Sequence, residues 1–483
     1  MPFQIHVLLM VCLALLFGPV HIAVASEIPV TVKDRKQVSI TVYNSNLALV
    51  RDQRQVVLPD GVSTLAWQEV STKMRPETAL LRSVDAYSAV TVMEQNYHFD
   101  LLTPRKLLEK FTGKQVRVVK THPTTGVEQV ESAKILSTHG GGVVLRVGDR
   151  IETSIPGRII FPDIPKDIRD RPTLTLMLSN PKAGKRAVSL NYLTGGLSWQ
   201  ANYVGQLNQA GDQMDLSGWV TLTNRSGAAY KKAQFQLISG TPNQVAQPRP
   251  MHAMAKGGRM ERMMMADAAP AFAQEALFEY HLYTLERPAT LLENQSKQLA
   301  LFDSARVAVK KELVLQGHPA LHKGLVAARR YKPTTYLVFI NNKEANLGMP
   351  LPKGVVRLYT ADAKGRAQFI GEDRIGHTAQ KSKVRLKLGT AYDISAKRRR
   401  TEFEIIPKHL LSQGAVEAAY EVVIQNSKSE AVTVLIKEKL PANARILASS
   451  LPHTMEAAGQ PVWQVKIPAD DKVSLTYRMF APR

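Results

Sequence analysis

The sequence predicts a mainly β protein: a multi-domain β-sandwich of the immunoglobulin-like type, with a small inserted β-barrel and few helices. Runs rich in Val, Ile, Leu and Thr flank an asparagine turn at three places, at Asn224, at Asn341 with Asn342, and at Asn426. Asparagine tolerates left-handed and turn geometry, so each place predicts a hairpin. Apolar and polar residues alternate from Ser39 onward, as in half-buried strands. Only one segment carries clear helix signals.

The first 26 residues predict a secretory signal peptide, because they contain no acidic or basic side chain and an unbroken apolar run from Val7 to Phe17. Small residues at Ala23 and Ala25 precede a cleavage point near Ser26. The run is shorter than the roughly 20 apolar residues of a spanning helix. We therefore expect cleavage, no transmembrane segment afterwards, and a periplasmic or outer-envelope or extracellular location.

The cysteine content of the chain excludes several kinds of site, and its net charge indicates the kind of partner. The single cysteine, Cys12, lies in the leader, so the mature chain has no disulfide, thiolate metal site or cysteine nucleophile. Lys and Arg outnumber Asp and Glu by 63 to 41, which gives a net charge of +22. In an exported protein this charge favours anionic envelope polymers as partners rather than nucleic acid. The short basic clusters at 329–332 and 397–400 have a plainer interpretation, a solvated surface.

Residues 27–111 predict an N-terminal β domain. Its strands run from Ser39 to Val92, with a Pro-Asp-Gly turn at 59–61. One helix follows: Thr103 can cap it, Pro104 suits its first position, and Gly113 can end it.

Residues 112–165 contain about five short strands separated by glycine-rich turns, which predicts a small closed β-barrel inserted after the first sheet. Residues 166–416 predict a central β-sandwich region, in which Trp199 and Tyr203 are expected core residues. Residues 244–275 interrupt this region with a Met, Ala and Pro composition that predicts a disordered loop. Residues 417–483 predict a C-terminal β-sandwich.

No catalytic residue is predicted outright, and no motif for a serine nucleophile elbow or a phosphate-binding loop occurs. The best available cluster is Glu372, Asp373 and His377, which could serve acid-base chemistry. Adjacent carboxylates on a strand face opposite sides, so they act together only if Gly371 or Gly376 bends the chain. Convergence of the three side chains in a cleft would favour an envelope hydrolase of polysaccharide or peptide, whereas separate placement would favour binding.

The methionine segment is the weak metal candidate, and no cofactor is predicted. Thioether and imidazole donors suit Cu(I), and the candidate ligands are Met251, His252, Met254, Met260, Met263, Met264 and Met265. Their spacing follows no repeat, so ordinary filler is the favoured interpretation. His318 and His322 have the i, i+4 spacing of a helical metal pair, but Pro319 follows the first and no glutamate of a metalloprotease motif is present. A structural or surface role is therefore expected for both histidines.

Several stretches, in order, resemble a known family. They include LSWQANYVGQL, VTLTNRSGAAYKKAQFQLISGTP, VRLYTADAKGRAQFIGEDRIGHT and YEVVIQNSKSEAVTVLIKEKLP, within about Leu190 to the C-terminus. The family is one of exported bacterial proteins with a domain of unknown function, related to the C-terminal half of mucoidy-inhibitor-like proteins. The helical hairpin of the latter is absent here. The resemblance implies an envelope location and a β-rich fold, and it transfers no catalytic residue.

The combined prediction is an exported, non-catalytic envelope protein that binds an anionic envelope polymer or, through an exposed strand edge, a protein partner. The alternatives left open are an envelope hydrolase and copper handling by the methionine segment.

Overall fold

A computed structural model describes residues 27–84, 90–139, 142–155, 157–165, 167–240, 242–244, 272–278, 280–319, 321–322, 329–407, 414–456 and 459–482. The predicted signal peptide lies outside these residues, and so does most of the predicted disordered loop. The end of that predicted loop is wrong, because residues 272–275 begin a strand that runs over Phe272–Leu277.

The described part of the chain is mainly β, as predicted. Its first strands are β1 (Ile28–Val30), β2 (Arg35–Tyr43), β3 (Leu47–Leu58), β4 (Gly61–Gln68), β5 (Leu80–Ser83), β6 (Thr91–His98), β7 (Gln115–Thr121), β8 (Glu128–Ser137), β9 (Val144–Val147), β10 (Arg150–Glu152) and β11 (Arg158–Ile160). The next are β12 (Thr173–Asn180), β13 (Gly184–Thr194), β14 (Leu197–Leu207), β15 (Gln213–Asn224), β16 (Tyr230–Ser239), β17 (Phe272–Leu277), β18 (Tyr280–Leu285), β19 (Ala289–Leu291) and β20 (Ser296–Ala308).

The remaining strands are β21 (Lys310–Gly317), β22 (Arg329–Tyr331), β23 (Thr334–Ile340), β24 (Gly354–Ala361), β25 (Ala367–Ile375), β26 (Lys383–Thr390), β27 (Ile394–Ile406), β28 (Ala415–Asn426), β29 (Val432–Glu438), β30 (Arg445–Ser449), β31 (His453–Glu456), β32 (Gln460–Ile467) and β33 (Lys472–Pro482). The α-helix of the described residues is α1 (Pro104–Lys110). Short 3-10 turns occupy Val32–Asp34, Pro76–Thr78 and Lys343–Ala345. No helix in this part of the chain has the length and apolarity needed to span a membrane.

The strands form six sheets in the described residues. Sheet I has the order β1-β4-β12-β6, and sheet II has the order β17-β18-β16-β2-β3-β13-β5, with β19 joining β16. Sheet III is β10-β9-β8-β7-β11, and sheet IV is β20-β15-β14-β24-β25. Sheet V is β26-β23-β21-β29-β32-β31, and sheet VI is β22-β27-β28-β33-β30.

One large core joins sheets I, II and IV and one end of sheet V. Trp67, Tyr203 and Phe235 are fully buried in it, and Trp199 is 3% exposed, which confirms the predicted core role of Trp199 and Tyr203. Strands β2 and β3 from the N-terminal segment lie between β16 and β13, so sheet II alternates between distant parts of the chain. The core therefore forms only when the N-terminal and central segments fold together.

The predicted closed barrel at residues 112–165 is wrong, because sheet III is an open sheet in the described residues. Its edge strands β10 and β11 have three residues each and pair with one neighbour apiece, which is too little strand to close a barrel. Helix α1 covers the sheet instead: Phe111 at its end packs with Val118 and Ile135. The helix itself is confirmed, and Thr103 accepts a hydrogen bond from the Lys106 amide at 3.2 Å.

Sheets V and VI form a second sandwich with a separate core, in which Tyr477 stacks with both Tyr420 and Trp463. Strand β21 runs parallel to β29, with Leu313 opposite Val434. The sandwich thus contains strands from both sides of residue 416, the sequence-based boundary.

The predicted hairpins at the three asparagine turns are wrong, because the strands on either side of each turn belong to different sheets: β15 and β16 to sheets IV and II, β23 and β24 to sheets V and IV, and β28 and β29 to sheets VI and V. The asparagines of these connections, Asn224, Asn341 and Asn426, are fully buried. At Asn426 the Nδ2 group donates to the carbonyls of Glu430 and Pro468, both at 2.8 Å, and Oδ1 accepts from the Lys428 amide at 3.1 Å. None of the three asparagines has a positive φ. Left-handed turn geometry is therefore not the reason for asparagine here. The amide instead holds both ends of the connection between two sheets to a third segment of backbone.

Candidate functional site

The two basic clusters of the sequence are brought together in sheet VI. Strands β22 and β27 pair antiparallel, and Arg330 lies directly opposite Lys397. Both side chains are exposed, and neither forms an ion pair with any described residue. Like charges at opposed positions destabilise a sheet. This pair, with Lys332 and Tyr392 beside it, is called the basic strand pair below.

Tyr392 gives the basic strand pair an exposed aromatic ring. The side chain is 85% exposed, and the Lys332 ammonium lies 4.4 Å from the ring centroid. An aromatic ring flanked by cations offers both a stacking face and positive charge to a ligand.

Strand alternation divides the second basic cluster between the two faces of sheet VI. Arg399 lies on the outer face and pairs with Glu421. Arg398 points inward, where its guanidinium lies 3.1 Å from the Glu438 carboxylate, 2.8 Å from the Tyr477 hydroxyl and 4.5 Å from the Tyr420 ring centroid. The sequence offered no signal for this division beyond the alternation itself.

Burial has the largest effect on the pKa values of Glu438 and Arg398. Glu438 is 1% exposed, and burial raises its pKa to about 7 although Arg398 acts to lower it. For Arg398, burial acts to lower the pKa, but Tyr477 and Glu438 outweigh it, so the pKa is raised and the guanidinium stays charged. We infer that a charged Arg398 lies beside a Glu438 carboxyl that titrates near neutral pH.

Glu372 and Asp373 occupy β25 and do not act as a pair. Glu372 is exposed and its Oε2 lies 3.1 Å from the Nε of Arg357. Asp373 accepts hydrogen bonds from the backbone amides of Lys387 at 2.7 Å and Arg374 at 2.8 Å. Both carboxylates have structural partners, on opposite faces of the strand.

His377 meets neither carboxylate and instead contacts Ser239. The ring Nδ1 lies 2.7 Å from the Ser239 hydroxyl and 3.3 Å from the Lys353 amide. A backbone N–H can only donate, so we assign Nδ1 as the acceptor and the hydroxyl as a second donor. Burial, then Lys353 and His281, lower the pKa of His377, which favours the neutral ring. Sequence reasoning missed Ser239, because 138 residues separate the two.

The candidate metal ligands of the methionine segment lie outside the described residues. His318 and His322 lie in a loop rather than a helix, and their carbonyls accept hydrogen bonds from Arg398 at 3.1 Å and Arg400 at 2.8 Å. Within the described ranges no three His, Cys, Asp or Glu side chains are grouped as a metal site.

These features define a mainly β, multi-sandwich protein with a cationic exterior. A family model described as a domain of unknown function, DUF4139, matches residues 188–483, which is more than half of the chain. The chain belongs to that family. No curated protein matches it significantly.

Proposed function

We propose that this protein is an exported, non-catalytic component of the bacterial cell envelope that binds an anionic polysaccharide through the basic strand pair. The observation that carries the proposal is the register of β22 and β27, which sets Arg330 against Lys397 without a carboxylate partner in the described residues. Bacterial origin and the relation to mucoidy-inhibitor-like proteins belong to the same proposal.

Electrostatics supports a polymer as the partner. Two opposed cations cost the sheet up to about 1 kcal/mol, and a ligand with repeated negative charges would offset that cost. Lys332 extends the positive stretch along the edge of the sheet, and Tyr392 supplies an apolar face for a sugar ring. Strand β22 has three residues, which is short for pairing with an added strand of a protein partner. An anionic polymer therefore fits better than a protein.

The candidate hydrolase site gives binding further support. Glu372, Asp373 and His377 have separate partners, and separate placement is the arrangement expected of a binding protein. The copper alternative depends on residues outside the described ranges and stays a prediction. Deletion of residues 251–265 followed by a copper-tolerance assay tests it, and unchanged tolerance would count against it.

Titration calorimetry of the mature protein with polygalacturonate, and with neutral dextran as the control polymer, tests the proposed function. We expect binding to polygalacturonate only, weaker at about 300 mM than at about 50 mM salt because exposed charges are screened. The double variant Arg330→Glu, Lys397→Glu should lose about tenfold or more in affinity, or about 1.4 kcal/mol.

Sheet III supplies a matched control, because Lys134 and Arg146 are also exposed and directly opposed there. The variant Lys134→Glu, Arg146→Glu changes the net charge by the same amount and should bind as the wild type does. Equal losses in the two variants would show a nonspecific charge effect, and salt-insensitive binding would also overturn the proposal.

A further inference from the structure

A second cationic feature lies in the first sandwich, where β2 and β16 diverge. The two strands pair in parallel from Ser39 and Gln234 onward. Before that point β2 has a register shift between Arg35 and Gln37 against β3. Strand β16 has one between Tyr230 and Ala233 against β19. Bulges bend strands away from regular pairing. A cleft of about 550 Å³ lies between the two bulged ends, and we call it the basic cleft.

Because β16 is bulged, two consecutive lysines line the same cavity. Lys231 and Lys232 both line the basic cleft, whereas neighbours in a regular strand point to opposite faces. Lys232 has a φ of 49°, a conformation that is uncommon outside glycine and costs energy. Its amide is held by the Thr290 hydroxyl at 3.1 Å.

The lining of the basic cleft has an excess of cations. Five basic side chains contribute, from Arg35, Lys36, Arg171, Lys231 and Lys232, against the two carboxylates of Glu69 and Asp170. Arg171 pairs with both carboxylates. The three lysines are exposed and form no ion pair with described residues. Positive charge on the lining is thus uncompensated.

Arg35, one of the five lining cations, belongs to a cluster that keeps one net positive charge. Arg35 donates from Nε and Nη2 to Asp52 at 2.8 and 2.9 Å. The fully buried Arg54 donates to the same carboxylate at 2.7 Å and lies 4.6 Å from the Trp67 ring centroid. Two guanidinium groups therefore share one carboxylate. The Nη1 of Arg35 has no hydrogen bond to a described residue, and the side chain is 13% exposed.

The neighbouring ionisable groups reduce this charge without balancing it. Glu293 adds one carboxylate, which accepts a hydrogen bond from the amide of the lining residue Gly227 at 2.8 Å. Burial acts to raise the pKa of Asp52, but Arg54 and Arg35 outweigh it and lower the pKa, so Asp52 supplies its one negative charge. Burial raises the pKa of Tyr230 to about 12, so that hydroxyl is neutral at physiological pH. An uncompensated buried cation is costly unless an anion approaches it.

We propose that the basic cleft binds the phosphate group of a phosphomonoester. Nη1 of Arg35 and the ammonium groups of Lys36, Lys231 and Lys232 are the donors available to its oxygens. Five cations against the carboxylates of Glu69, Asp170 and Glu293 leave two positive charges at the cleft, which complements a dianion better than a monoanionic carboxylate. The cavity lies within the usual size range for small-molecule sites. This site is separate from the basic strand pair and does not depend on it.

Titration calorimetry of the mature protein with inorganic phosphate, a hexose monophosphate and the unphosphorylated hexose tests the proposal. We expect saturable binding of a phosphate-bearing probe and none of the free hexose. Tighter binding of the hexose monophosphate than of inorganic phosphate would identify a phosphorylated sugar as the source. The reverse order would identify free phosphate.

The variant Lys231→Gln, Lys232→Gln removes both positive charges while keeping unbranched polar side chains, and should weaken phosphate binding by about tenfold or more. The variant Arg330→Glu, Lys397→Glu should bind phosphate as the wild type does, which separates this proposal from the polysaccharide proposal. A second variant, Lys36→Gln, tests the opposite wall if the lysine pair proves necessary for folding. No saturable phosphate binding, or wild-type affinity in both glutamine variants, would overturn the proposal.

Discussion

At the scale of single residues, the buried asparagines show how one side chain joins separate parts of the backbone. An asparagine amide carries two donors and an acceptor, which match two carbonyls and one N–H. At Asn224 the amide donates to the carbonyls of Ala228 at 2.8 Å and Leu292 at 3.0 Å, and at Asn341 to those of Met349 at 2.8 Å and Ala379 at 3.1 Å. The asparagine that recurs in the sequence thus hydrogen-bonds separate backbone segments to one another at a strand end.

Replacement of Asn426 by alanine should lower the free energy of unfolding by about 2–3 kcal/mol, because it leaves buried backbone groups without partners. Gln425→Ala is the matched control: this neighbouring amide is exposed, and we expect a change within about 0.5 kcal/mol. Urea denaturation curves of both variants measure the difference. Equal losses of unfolding free energy in the two variants would contradict this role of Asn426.

Glu438 gives a prediction for pH. Its pKa is about 7 in the folded state and near 4.5 when exposed. Below the lower value both states are protonated and the stabilisation is fully present. As the pH rises towards 7 the unfolded chain loses the proton first, so folding stability falls, and above the folded pKa it stays at the lower level.

The variant Glu438→Gln cannot titrate and should lack this dependence. Relative to it, the wild type should lose on the order of 3 kcal/mol of unfolding free energy between about pH 4.5 and pH 8. Denaturation at a series of pH values checks this, and the difference between the two proteins cancels the other titrating groups. A constant difference across the series would exclude a raised Glu438 pKa.

At the scale of elements, the segment around sheet III shows which features were predictable. The helix depends on signals within a few residues, a capping Thr103 and an N-terminal Pro104, and such local signals are readable from sequence. Closure of the sheet depends on how far the edge strands extend and on what covers the open face. Neither is a local property, so the barrel prediction failed where the helix prediction succeeded.

Sheet III has its own hydrophobic core, so a destabilising substitution in that core should unfold this sheet and leave the large core folded. Phe111 is 3% exposed and its ring lies 5.1 Å from that of Phe161. We expect Phe111→Ala to cost about 3 kcal/mol and to remove hydrogen-exchange protection from β7 to β11 while the large core keeps its protection. Arg105→Ala on the exposed side of α1 is the control and should cost within about 0.5 kcal/mol. Loss of protection throughout the molecule would contradict local unfolding.

At the scale of the whole molecule, the first core is shared between the N-terminal segment and the family region. Every strand of sheet I lies before residue 188, and β2 and β3 form the centre of sheet II. The sandwich of sheets V and VI, by contrast, lies within residues 310–482 and has its own core. The family region therefore contains one complete core and one incomplete core.

A fragment of residues 188–483 should consequently fold only in part. Without β2, β3 and β5, strand β13 has no neighbour and β16 keeps β18 and β19 but loses β2, so the apolar face around Phe235 is exposed to water. Hydrogen exchange should show protected amides in β28 to β33 and unprotected amides in β13 and β16. Residues 27–483 are the control and should protect both. Full protection of β13 in the fragment would contradict the shared core.

Local information was sufficient for the β class, helix α1 and the burial of Trp199, because alternation and capping operate within a few residues. The net charge likewise follows from composition. Strand partners could not be derived in this way, since pairing depends on contacts between distant segments and a one-residue slip reverses every side chain. The opposition of Arg330 and Lys397, the contact of Ser239 with His377 and the basic cleft all arise from such pairing.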